Sequence, residues 1–415
     1  MKVVRLTVLA ALVAAAVLVA ASTASAGTTY PILGDASIQP LFTKIGGADP
    51  LPSTMTIPHW FSTFTDPTNG VTYGYNMVGA TDPRSPKAAK TTIPTDVIPI
   101  NLTYAGSGGY QFNGTDVVKA VMASPLFKAS DYSTTPLSTG GAGELSTGNT
   151  GVQYEDAIMR SQFNKVGSRY HLVLAPTVQP TVSLTVPSGS GAVYQSERGV
   201  PFGLVNYNWF GGKIQNLVQS LKLDPTHLPV FVTNNSMLYI TSPDNCCIIG
   251  FHGAGANAGG NGNQAVNTFA WGSYTTPGTF DLAFLQNNGT ESGGYFVRDI
   301  HALSHEIAEW GDDPFINNTV NPWLTPTAPQ YGCTAYLETG DPVVGVGFAM
   351  TGNSFDSNQY ADGYWHPEDE ALLPWFAREN PNVTSQPIQG GSTGRYAFMG
   401  TLNPFPGFQV PATGC

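Results

Sequence analysis

Apolar residues recur along the chain with two periods. In RDIHALSHEIAEWGDDPF, Ile300, Leu303, Ile307 and Trp310 fall at helical spacing, which predicts a helix over residues 295–310 with one apolar face. Ile214, Leu217, Val218 and Leu221 do the same over 209–223, and shorter helical signals cover 153–164 and 116–122, the latter capped by Thr115. Runs rich in β-branched and aromatic residues predict strands at 170–174, 230–233, 237–240, 247–252 and 268–271, the last four spaced as neighbours in one mixed sheet. A strand over 93–102 is confined to a sheet edge by Pro94 and Pro99, which lack the N–H an interior strand donates. A helix over 368–379 is broken at Pro374, and 395–402 supplies a last strand. The expected fold is α/β or α+β: a central mixed sheet, loop-rich, with the 295–310 helix packed across it.

The two ends and the composition set the compartment. Lys2 and Arg5 precede an apolar run from Leu6 to Ala20 and the small triplet Ala24-Ser25-Ala26, the pattern of a signal peptide cut after Ala26. The chain then divides into a coil-rich region or prosegment over 27–90 and a main globular domain over 91–415, with a Gly/Ser/Thr-rich loop from Ser138 to Gly151. An exported protein, extracellular or periplasmic, is expected. Only 11% of residues are charged, and the formal net charge of −11 without any basic cluster argues against nucleic acid and anionic membranes as partners.

Four cysteines in an exported chain favour two disulfides. Chain neighbours sit about 3.8 Å apart at Cα across a trans peptide, whereas a bridge wants at least about 4.4 Å. Cys246 and Cys247 are therefore expected to pair separately, with Cys333 and Cys415.

The polar face of the 295–310 helix carries the candidate chemistry. His301, His305 and Glu309 stand four apart, so neighbours in the stripe can share a metal ion. His305, Glu306 and Glu309 fit the zinc-protease layout, with ligands at i and i+4 and a Glu after the first that accepts a proton from water. A catalytic zinc wants a third protein ligand; Asp312, Asp313, Glu338 and Asp341, in loops after the helix, are the acidic candidates. Those four without His305 would suit calcium instead. His301 and His252 are auxiliary candidates for steadying an oxyanion, and His366 is an outer partner or a helix-start packing residue. No GxSxG elbow or cysteine-protease signature is present. The alternatives are a helix-surface pair with no ion, a structural ion in a binding protein, and a carbohydrate surface built on the 18 Tyr and 7 Trp.

The succession LYITSPDNCCIIGFHGAGA, FAWGSY and HEIAEWGDDPFINN resembles the phosphate-induced, exordium-like family of secreted plant and microbial proteins over about residues 230–320. The chain also resembles exported bacterial proteins with an HExxE helix, a following Asp-Pro and a later Glu-x-Gly-Asp. Here His305, Glu306, Glu309, Asp313-Pro314, Glu338, Gly340 and Asp341 match that pattern. The second resemblance implies a metallopeptidase-like arrangement acting on peptides; the first, through its link with plant cell-wall growth, implies a non-enzymatic alternative.

Overall fold

The computed structural model describes residues 43–44 and 54–415, less 133–134, 137–143, 146–149, 197, 257–264, 280–296, 327–331, 380–395, 399–411 and 413–414. The expected leader 1–26, most of the Ser138–Gly151 loop and the Gly-rich run after Ala256 lie outside the described residues.

The architecture is mixed α/β around an eight-stranded sheet. Its longer strands are β1 (Lys90–Tyr104), β2 (Tyr110–Asn113), β3 (His171–Val178), β4 (Val182–Val186), β5 (Leu228–Asn234), β6 (Gly250–Ala256) and β7 (Val266–Tyr274). They run in the order β6-β7-β5-β1-β3, with Thr43–Lys44 outside β6 and with β2 and β4 also paired to β1. β1 runs parallel to β3, β4 and β5 and antiparallel to β2, while β6 and β7 are antiparallel.

Helices are α1 (Gly114–Ala123), α2 (Tyr154–Gln162), α3 (Tyr207–Ser220), α4 (His301–Asp312) and the single turn α5 (Leu373–Phe376). A largely parallel sheet must be apolar on both faces, and this one is. Val97, Val230, Val232 and Ala270 pack with α1, α2 and α4. Ile98, Ile100, Phe231, Phe251, Phe269 and Trp271 pack with Phe210, Ile214 and Val218 of α3.

β1 is interior, not an edge. Its prolines survive there because each has one registered neighbour: β3 pairs with 90–97 and β5 with 95–99, so Pro94 faces β3 alone and Pro99 faces β5 alone. Each missing N–H points where the strand is locally unpaired. The four strands expected in one sheet divide between two. Ser236–Tyr239 and Cys246–Ile248 join a separate four-stranded sheet, and the chain enters the central sheet only at Gly250. Periodicity identifies a strand but does not assign its sheet.

Pro374 starts α5 instead of interrupting a longer helix, since the first helical turn needs no N–H from it. Glu368 instead forms an isolated β-bridge with Gly347, and residues 369–370 are not helical. Leu221, expected on the buried face of α3, is exposed, and Asn113 takes the cap position of α1 in place of Thr115. Cys246 and Cys247 bond each other across a cis peptide that brings their Cα atoms to 3.0 Å, and Cys333 pairs with Cys415. The expected pairing assumed a trans peptide.

Within 27–90, His59–Thr65 and Thr72–Val78 form a hairpin whose Trp60, Met77 and Val78 enter the α4 core. Asp66 locks this hairpin to the C-terminal part through Arg378 Nη1 at 2.9 Å, with both side chains buried. Burial raises the Asp66 carboxyl, but hydrogen bonds from Thr68 and Asn321 and the charge of Arg378 outweigh it and hold it below the ordinary value. A depressed folded pKa means this clasp stabilises above the unfolded carboxylate pKa and is lost as pH falls through the folded one. Arg378→Met, which strands a buried carboxylate, is expected to cost about 3–5 kcal/mol by urea unfolding at pH 7.

Among the described residues no helix is long and apolar enough to cross a membrane.

Candidate metal centre

Every residue of α4 is buried. Its apolar stripe faces the sheet, so His301, His305, Glu306 and Glu309 are pressed against β6 and two later segments, where ionisable groups need partners or a cation. On β6, Phe251 turns toward α3 while Gly250 and His252 turn toward α4. Gly250 permits the approach, because a Cβ there would stand 2.5 Å from Glu306 Oε1. Gly340 does the same on the other side, where a Cβ would collide with the His305 ring.

Two donor triples result, and they share one carboxylate. In the first, His305 Nε2 lies 3.1 Å from Glu309 Oε1 and 3.8 Å from Asp341 Oδ1. In the second, His252 Nδ1 lies 3.4 Å from both Glu306 Oε2 and Glu309 Oε2. Ligands bonded at 2.0–2.2 Å in a tetrahedron stand about 3.3–3.6 Å apart, so both triples have the spacing of donors around one ion.

Compared with family models, curated proteins and solved structures, the chain matches none.

The chemistry of the donor set fits a cation. Among the described residues, neither carboxylate oxygen of Asp341 or Glu338 has a hydrogen-bond partner, nor has His252 Nε2, although all are buried. Burial, reinforced by Glu309, pushes Asp341 and Glu338 well above the usual carboxylate range. Glu309 goes the other way: burial raises it, but His305 and His252 prevail and hold it well below that range. Burial opposes charge on His252, yet Glu306 and Glu309 raise it to about 10. Acids here outnumber the imidazoles facing them, so the surplus is neutralised by protons or by a metal that displaces them. These buried His and Glu groups can hold a metal ion.

Each expected site residue has a definite place. His305 and Glu309 form the first triple with Asp341. Glu306 approaches it through Oε1, 4.0 Å from His305 Nε2, and also belongs to the second triple. His252, expected as an auxiliary, stands among the donors. Glu338 sits outside both triples, 3.6 Å from His252 Nε2.

Asp313 is spent elsewhere, accepting backbone N–H groups of Asn317 and Asn318, and Asp312 accepts Gln162 Nε2 at 2.6 Å. The four acids therefore do not gather into an oxygen-only calcium set. His301 points away from the donors, with Nε2 at 3.0 Å from Glu368. His366 binds Asp299 at 2.5 Å and braces the start of α4.

The residue the sequence did not flag is Glu368. It accepts His305 Nδ1 at 2.8 Å, while Gly345 N–H and the His301 ring hold it in turn. Burial raises Glu368, but His301 and His305 prevail and hold it below its ordinary value, so it accepts from Nδ1. Burial opposes charge on His305, yet Glu309, Glu368 and Glu306 raise it, and an ion taken up at Nε2 displaces the proton there. A carboxylate behind a ligating histidine is the usual outer partner of a metal site. Its signal in the sequence was the acidic run 368–370, which reads only as the start of a helix.

Gly340 has φ −77°, so alanine there is strained only by the His305 collision. Gly340→Ala is expected to displace the imidazole at a cost of about 1–3 kcal/mol. Equilibrium dialysis against zinc should show a matching loss of affinity with the fold preserved.

Proposed function

We propose that this protein is an exported metal-dependent hydrolase, with zinc as its ion and peptides as its substrate class. The observation that carries the reading is His305, whose Nδ1 is fixed by Glu368 while Nε2 faces Glu309 and Asp341. A histidine with two carboxylates suits zinc better than calcium, which takes oxygen donors. The two disulfides are compatible with an extracellular setting.

When bound, zinc polarises a carbonyl and makes water a nucleophile near neutral pH. Glu306 Oε1, directed toward this triple, accepts the proton that water gives up as its oxygen bonds to the scissile carbon. The same proton passes to the departing amine as the C–N bond breaks. Glu309 and Asp341 fix the ion, and Glu368 keeps His305 in the ligating tautomer.

The donors are all less than a tenth exposed, which supports a second reading in which the ion serves stability alone. One experiment separates the two: metal analysis of the purified mature protein with a screen of peptide substrates, beside Glu306→Gln. Stoichiometric zinc with hydrolysis that falls about 10²–10⁴-fold in the folded variant supports the enzyme. Stoichiometric zinc without hydrolysis leaves the structural ion, and absence of metal sinks both.

A further inference from the structure

Glu309 divides its two oxygens. Oε1 faces His305 and accepts the backbone N–H groups of Gly340 and Asp341 at 3.2 and 3.3 Å, whereas Oε2 faces His252. No donor group among the described residues brings His252 and His305 together, so one ion does not use both histidines. Each histidine instead heads its own triple, with Glu309 common to the two.

The outer partners repeat the division. His305 presents Nε2 to its triple and gives Nδ1 to Glu368; His252 presents Nδ1 and turns Nε2 toward Glu338, 3.6 Å away. Glu338 is fully buried, and neither of its oxygens has a hydrogen-bond partner among the described residues. A carboxylate aimed at the far nitrogen of a ligating imidazole is the arrangement expected behind a metal, and here it occurs twice. Charge points the same way. Glu306, Glu309, Glu338, Asp341 and Glu368 carry five negative charges when ionised; with both histidines neutral, two divalent ions match four of them, while one ion leaves three unmatched.

We propose that the centre binds two divalent ions bridged by Glu309, one held by His305 and Asp341 and the other by His252 and Glu306. Ions sharing a carboxylate lie about 3.5–4 Å apart, the spacing of two-metal hydrolytic sites. Glu306 then ligates the second ion through Oε2, while its Oε1 stays directed at the first triple. The inference rests on the metal-site reading above but not on hydrolysis.

The test is titration of the metal-stripped, disulfide-intact mature chain with zinc, read by calorimetry, and with manganese(II), read by electron paramagnetic resonance. Two equivalents are expected, with an exchange-coupled manganese spectrum. His252→Ala, and His252→Gln in case the smaller side chain unfolds the site, should retain one equivalent and give an uncoupled spectrum. One equivalent in the unaltered protein, with an uncoupled spectrum, overturns the proposal; since that reading needs no variant, misfolding of the variants does not blunt it. Coupled ions without peptide hydrolysis would leave the two-ion centre standing and remove the hydrolase, whereas hydrolysis with a single ion would do the reverse.

Discussion

Chelation of the mature protein is expected to lower its melting temperature by about 5 °C. An ion present at a thousandfold its dissociation constant stabilises the folded state by about 4 kcal/mol. Unfolding entropy of about 2 cal/mol/K per residue, over a chain of this length, converts that into about 5 °C. The structural cause is local. Without a cation, the buried acids of α4 and the 338–341 loop have to share protons, and Asp341 and Glu338 are driven far above their ordinary values to do so.

The check is differential scanning calorimetry before and after a zinc chelator, with zinc restored in a third run. His305→Ala should respond far less to chelator. An unaltered protein whose melting point ignores both chelator and zinc would remove the metal centre from the account. Because binding displaces protons from these acids, the chelator effect should also shrink as the solution is acidified.

The second large effect is expected of Glu309→Gln. The amide preserves the shape and can still accept the N–H groups of Gly340 and Asp341, so the backbone around it should hold. What goes is the carboxylate that both triples use. Loss of outer partners already weakens metal sites 10–100-fold, and loss of a ligand should exceed that; affinity is expected to fall by more than about 10², and any hydrolysis with it. Glu338→Gln makes the contrast. That carboxyl lies outside both triples and backs His252 as an outer partner, so its replacement should cost about 10–100-fold, less than the loss of Glu309. Competition dialysis on the two variants decides the point: equal losses would mean that Glu309 has no special place.

Much of this centre was legible in one helix. Apolar residues at 300, 303, 307 and 310 fixed the face that meets the sheet, and the four-residue step from His305 to Glu309 put two donors on neighbouring turns. What lay beyond the helix was harder. His252 is brought in by the antiparallel pairing of β6 with β7, which no local period encodes; the sequence places it at the end of a strand over 247–252 without showing which face it takes. Glu368 was hidden because the apolar and acidic spacing over 368–379 imitates a helix, whereas the helix there begins only at Leu373, with Pro374 in its first turn. The vicinal cysteines escaped because distance arguments from a trans backbone do not hold once the peptide is cis. Asp313 misled in the opposite sense, since an acid just past a helix more often satisfies the turn that follows than a ligand.

The Cys333–Cys415 bridge spans 82 positions of sequence, and Asp341 and Glu368 both lie inside the loop it closes. Closing that loop restricts how far the arm can drift when its grip on α4 is broken. The bridge confines residues 334–414 among themselves, while Asp341 remains joined to His305 through residues 306–340 in either redox state. The oxidised arm therefore has fewer unfolded arrangements to search before its contacts with α4 re-form, and the reduced arm has more.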